Sequence, residues 1–120
     1  MSNPSAHRKR GTLGEEAAAE FLKQHGYEII ERNYFYQHGE IDIIAKENET
    51  LVFVEVKARS SAKFGAPEEF VTPKKQELLR RTAEGYMLER AIGEADCRFD
   101  VVAVMMTDGN TECRILKNCF

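Results

Sequence analysis

Residues 39–57 read Gly39-Glu40-Ile41-Asp42-Ile43-Ile44-Ala45-Lys46-Glu47-Asn48-Glu49-Thr50-Leu51-Val52-Phe53-Val54-Glu55-Val56-Lys57. Two short runs rich in Ile and Val flank a polar centre, Glu47-Asn48-Glu49-Thr50, which is the pattern of a β-hairpin. Charge inside the runs is unusual: Asp42 stands among isoleucines, Glu55 and Lys57 among valines. Strand side chains alternate faces, so Glu40, Asp42 and Ile44 are expected on one face, and Phe53, Glu55 and Lys57 on one face of the next strand. A turn centred between Asn48 and Glu49 would pair Ile44 with Phe53, Asp42 with Glu55 and Glu40 with Lys57. Like charges directly opposite each other destabilise a sheet. A hard divalent cation offsets that repulsion, and Mg²⁺ is commonly held by one or two carboxylates plus water and substrate phosphate. Lys57 could then position a water nucleophile or stabilise a phosphate in the transition state. The competing reading is that these acids point to solvent and discourage edge aggregation.

Asp42, then about a dozen residues, then Glu55-Val56-Lys57 resembles the PD-(D/E)xK nuclease signature. Longer words are more specific: Gly39-Glu40-Ile41-Asp42-Ile43-Ile44-Ala45, Phe53-Val54-Glu55-Val56-Lys57-Ala58-Arg59 and Arg98-Phe99-Asp100-Val101-Val102 closely resemble the bacterial YraN-like family. That family is related to archaeal Holliday junction resolvases, and the likeness spans roughly residues 11 to 104. Ile41 stands where the eponymous proline of the superfamily would be. The resemblance implies a restriction-endonuclease-like core and hydrolysis of DNA phosphodiesters with Mg²⁺ or Mn²⁺. It implies Asp42, Glu55, the Val56 carbonyl and Glu15 as metal ligands, with Lys57 completing the catalytic set. It also points to Lys75 or Gln76 of the second helix near the metal, for which a solvated helix face is the alternative.

At 120 residues, 42% hydrophobic and 31% charged, the chain suits one globular domain with its own core. The net charge of −3 is not the footprint of a typical DNA binder. Basic residues do cluster, at His7-Arg8-Lys9-Arg10, at Lys57, Arg59 and Lys63, and at Lys74, Lys75, Arg80 and Arg81. Arg59 and Lys63 could grip phosphates; each cluster alone reads equally as a solvated face. No apolar run reaches the length of a membrane span, and the basic start is not followed by a signal-peptide core. Cys97, Cys113 and Cys119 lack zinc-ligand spacing and suit thiols in a reducing cytoplasm.

Residues 1–10 are small, polar and basic, and read as a disordered tail ahead of a domain at 11–120. A first helix is expected from Thr12, where Thr12-Leu13-Gly14-Glu15 fits a capping box, to a stop at Gly26. Glu15 therefore has two readings, a cap folded onto its own helix or a carboxylate aimed at Asp42. Tyr27–Tyr36 reads as a strand interrupted by Glu31-Arg32-Asn33. Its Tyr34 and Tyr36 could stack on bases, although strand aromatics more often fill a core. His38, beside Gly39 in a turn, reads as solvated more readily than as a general base. Residues 58–70 show no period and read as a long loop. Thr72-Pro73 opens a second helix to about Arg90. Arg98–Met106 reads as a buried strand, Thr107-Asp108-Gly109-Asn110 as a turn and Thr111–Leu116 as the returning strand. Asp100 is expected to pair with Arg98 or to support Lys57, not to bind metal.

The expected fold is therefore α/β, a central mixed β-sheet flanked by helices in the order αβββαββ. The expected function is a divalent-metal-dependent DNA endonuclease acting on branched DNA in repair or recombination, as a homodimer matched to a symmetric substrate. The alternative is a non-catalytic adaptor that delivers branched DNA to a helicase or repair partner. A purely structural reading of the acids, as solubilising surface charge, stands beside both.

Overall fold

The computed structural model describes residues 5–59 and 71–120, the side chains of residues 5–12 excepted. The elements are α1 (Ser5–Gln24), β1 (Glu28–Tyr36), β2 (Gly39–Glu47), β3 (Thr50–Arg59), α2 (Pro73–Glu89), β4 (Cys97–Thr107) and β5 (Asn110–Leu116). This is the expected order. The strands form one sheet in sequence order, β1-β2-β3-β4-β5. It is mixed because β3 and β4 run parallel while every other neighbouring pair is antiparallel. Parallel neighbours need a long crossover, and α2 lies within it.

Local chemistry sets the boundaries. Thr72 accepts the Lys75 amide (3.2 Å) and Pro73 follows, so α2 starts where its cap dictates. Gly26, at φ 88°, lies just past the end of α1. Asn48 (φ 53°) turns the central hairpin, and Asp108 with Gly109 (φ 34° and 82°) turns the last one. One expectation fails. The start of α1 lies at Ser5, well ahead of Thr12, so Glu15 stands inside the helix and is released from a capping role. The expected tail at residues 1–10 falls on residues 1–4, outside the described residues, and on the first helical turns, whose side chains are outside them too.

The sheet has a core on each face. On one side Ala18, Ala19 and Leu22 of α1 pack with Ile43, Ala45, Val52, Val54, Val102 and Val104. On the other Leu79, Ala83 and Tyr86 of α2 pack with Tyr34, Ile41, Ile44, Phe53 and Val101. Near the hairpin-turn end, fully buried Asp100 accepts from Arg98 Nε (3.0 Å), the Tyr27 hydroxyl (3.1 Å) and the Asn118 amide (2.9 Å). Asp100 thus pairs with Arg98 as expected and takes no part in the carboxylate cluster around Asp42. No helix among the described residues is long and apolar enough to cross a membrane.

Candidate metal centre at a fork in the sheet

The β2–β3 ladder has the expected register. It runs from Glu47↔Thr50 through Ile44↔Phe53 to Ile43↔Val54, and there it ends. Beyond that rung β2 stays with β1 as far as Tyr36↔Gly39, while β3 stays with β4 as far as Arg59↔Met105. The sheet forks at Asp42 and Glu55. A buried backbone N–H needs an acceptor, and the Asp42 carboxylate supplies one: Val56 N donates to Asp42 Oδ2 at 2.8 Å. The N–H and C=O of a strand residue point to the same edge. The Val56 carbonyl therefore faces the fork as well.

A second irregularity brings more carboxylates to the fork. Ile41 and Ile43 are two residues apart, yet they belong to opposite cores. Their β1 partners behave alike. Arg32 reaches Glu15 (3.8 Å) and Glu16 (2.7 Å) on α1, whereas Tyr34 is buried under α2. Between Arg32 and Tyr34, Asn33 adopts φ 53°. Both strands exchange faces at this rung, so strict alternation from Glu40 to Ile44 does not hold, and Glu40 does not stand across from Lys57. Glu40 instead turns towards α1. Carboxylate oxygens of Glu15, Glu40 and Asp42 lie within 4.8 Å of one another. The Asn33 amide, in the orientation that satisfies both its ends, donates to Glu15 (3.1 Å) and Glu40 (3.0 Å).

The electrostatics are those of excess acid. Glu55 is 7% exposed, and Lys75 of α2 is the cation that approaches it, at 3.7 Å. Its Oε2 is buried and receives no hydrogen bond among the described residues. Burial foremost, then the facing Glu55 carboxylate, pushes Asp42 up to about 8, against the pull of the Val56 amide and Lys75. Glu15 and Glu40 are also raised, chiefly by burial and then by Asp42. Every side chain that could ligate here offers a hard oxygen, one of them buried without a donor. That donor set fits Mg²⁺ or Mn²⁺ and not a soft thiophilic metal.

The family model of uncharacterised protein family UPF0102 matches residues 14–104, from the turn of α1 that carries Glu15 through most of β4. The chain belongs to UPF0102. Among its relatives, a UPF0102 protein of Caldicellulosiruptor saccharolyticus is 49% identical over 94% of this chain and 98% of its own length. One of Acetivibrio thermocellus is 44% identical over 100% and 97%. One of Chlorobium phaeobacteroides is 48% identical over 80% and 76%.

In this UPF0102 chain Asp42 of β2 lies with Glu15 of α1 and with Glu40 in the group of clustered carboxylates and accepts from the Val56 amide of β3, whereas Glu55 faces Asp42 but is not part of that group. Lys57 is half-buried two residues beyond Glu55 on β3 and makes no ion pair among the described residues. Arg59 closes β3 and donates to the Ala58 carbonyl (2.9 Å). Lys75 engages Glu55, whereas Gln76 is turned to the Val71 carbonyl (3.0 Å). Lys63 lies outside the described residues. His38 is exposed in its turn, and Tyr34 is core and unable to stack on a base. Sequence reasoning missed Glu40 as a member of the cluster, and Asn33 and Arg32 as its supports. The signal available was the polar Glu31-Arg32-Asn33 break in an otherwise apolar strand.

Proposed function

We propose that this UPF0102 chain is a divalent-metal-dependent DNA endonuclease with a PD-(D/E)xK site in a restriction-endonuclease-like core. The observation that carries this reading is the fork. There Asp42 is fixed by the Val56 amide beside a buried Glu55 oxygen that lacks a donor. A buried carboxylate oxygen with no hydrogen bond among the described residues, and with Lys75 no nearer than 3.7 Å, costs stability, and that cost is offset once a divalent cation binds. Asp42, Glu55, the Val56 carbonyl and Glu15 would hold Mg²⁺ or Mn²⁺, joined by Glu40, which clusters with Glu15 and Asp42. The bound cation supplies Lewis-acid stabilisation of the phosphate. The protein's own groups do the rest. Lys57, free of any ion pair among the described residues, holds the attacking water or the charge that develops on the phosphate oxygens. Water adds to phosphorus, the P–O bond to the leaving group breaks, and the departing oxygen takes up a proton. With a cation bound, Lys75 would be freed from Glu55 to meet a phosphate, and Arg59 and Lys63 are further candidate phosphate contacts.

The setting is cytoplasmic DNA repair or recombination, with branched DNA as substrate and a homodimer as the working form. A second reading keeps the DNA and drops the cleavage, leaving an adaptor for a helicase or repair partner. The net charge of −3 supports it, since DNA affinity then rests on few basic groups. One experiment separates them. Labelled four-way junction, flap and linear duplex are incubated with Mg²⁺ or Mn²⁺ and wild type, Asp42→Asn or Lys57→Ala. Cleavage by wild type alone establishes the nuclease. Binding without cleavage, equal in all three proteins, leaves the adaptor.

A further inference from the structure

The aromatic side chains of β1 divide by face. Tyr34 is 5% exposed and meets Tyr86 of α2 edge-on, with ring centroids 5.1 Å apart. Tyr36 packs on α2 so closely that its ring atoms lie within 2.6 Å of where a Cβ on Gly85 would stand. Phe35, between them, must point the other way, to the α1 face. Its ring is 67% exposed on a strand at the edge of the sheet. Its partner across the ladder is Glu40, one of the three clustered carboxylates. Cross-strand partners stand about 5 Å apart at Cβ. A bare aromatic ring therefore borders the carboxylates, on the face where Glu40 meets Glu15.

We propose that Phe35 is a stacking platform for an unpaired nucleobase, so that the substrate is single-stranded or branched nucleic acid and not continuous duplex. The inference rests on the phosphodiester reading of the fork and deepens it. With the scissile phosphate at the carboxylates, the base of an adjoining nucleotide comes within reach of Phe35. Only a base without a stacked neighbour can offer its flat face to the ring, and in a duplex both faces are covered. Phenylalanine has no donor or acceptor with which to read a base edge, so stacking here tolerates any sequence. The same geometry makes Phe35 a positioning residue: a base held on the ring sets where the backbone crosses the site.

The test uses the full chain with Mg²⁺ and two probes, a flap carrying 2-aminopurine at its unpaired junction nucleotide and the matched duplex. Wild type, Phe35→Ala and Phe35→Trp are compared by 2-aminopurine quenching, anisotropy and cleavage, with circular dichroism confirming the fold. Wild type should quench the probe and prefer flap over duplex. Phe35→Ala should lose the quenching and roughly tenfold of the preference, as expected for one lost base–aromatic contact, and Phe35→Trp should restore both. A flap preference unchanged in Phe35→Ala overturns the platform and leaves the nuclease standing. A wild-type dimer that Phe35→Ala converts to monomer, with quenching intact, overturns it in favour of a contact between copies. Wild type that neither binds nor cleaves any DNA removes the phosphodiester reading and this inference with it.

Discussion

At Asp42, burial and a facing carboxylate oppose ionisation while one backbone amide favours it, and the first two prevail. The sign for stability follows. The unfolded chain ionises Asp42 near its ordinary value of 3.8, whereas the folded chain without metal keeps the proton to about 8. Between those values the folded state binds more protons, so stability should fall as pH rises from about 4 to about 8 and level off above. Glu15 and Glu40, both raised, act in the same direction. Thermal melts of metal-free protein across that range check this, and Asp42→Asn should flatten the slope and melt higher at pH 8. Mg²⁺ should raise the wild-type melting temperature more at pH 8 than at pH 5, and should do little for Asp42→Asn. Equal slopes in the two proteins would sink this account. Glu40→Gln should weaken metal binding less than Asp42→Asn, read by titration calorimetry. Asp42 and Glu55 were legible in the sequence because charge inside an apolar strand is conspicuous. Glu40 was not, because its place depends on Asn33 taking a left-handed φ, which no hydropathy pattern encodes.

Helix α1 meets the sheet through Gly14, where a Cβ would come 2.7 Å from the Ala58 Cβ on β3. Gly14→Ala gains about 1 kcal/mol of helix propensity but overpacks a helix–sheet contact, at a cost of about 1–3 kcal/mol. The expected net effect is a loss of about 1 kcal/mol in chemical denaturation. Because the displaced helix carries Glu15, metal affinity should fall too. Gly85→Ala makes the contrast, since its clash with the Tyr36 ring separates α2 from β1 and leaves Glu15 alone. It should lower stability and spare metal binding; loss of affinity in both variants would remove the special role of α1. The hairpin register was legible because Asn48 centres its turn and the apolar runs match in phase. The fork was not, since nothing in residues 39–57 says that β2 leaves β3 after Ile43. The start of α1 was misplaced because Thr12 and Glu15 mimic a capping box while the helix continues through them.

Across the molecule, the centre at the fork and the Arg98–Asp100–Tyr27 cluster near the hairpin turn divide the charged interior into two independent parts. Arg98→Ala leaves Asp100 buried without its guanidinium, which should cost about 3–5 kcal/mol by denaturation. Metal titration of the folded variant should match wild type. A changed metal affinity would mean that the two ends communicate through β3 and β4. The αβββαββ order and the mixed sheet were readable because each element carries its own boundary signals, from Thr72-Pro73 to Asp108-Gly109. The Val56 amide has one more use. In most of the sheet a backbone hydrogen exchanges with deuterium only when strands come apart, but this one is guarded by a single side chain. Its nuclear resonance is therefore an internal gauge, reporting in one peak whether that carboxylate is ionised, protonated or drawn towards a bound cation.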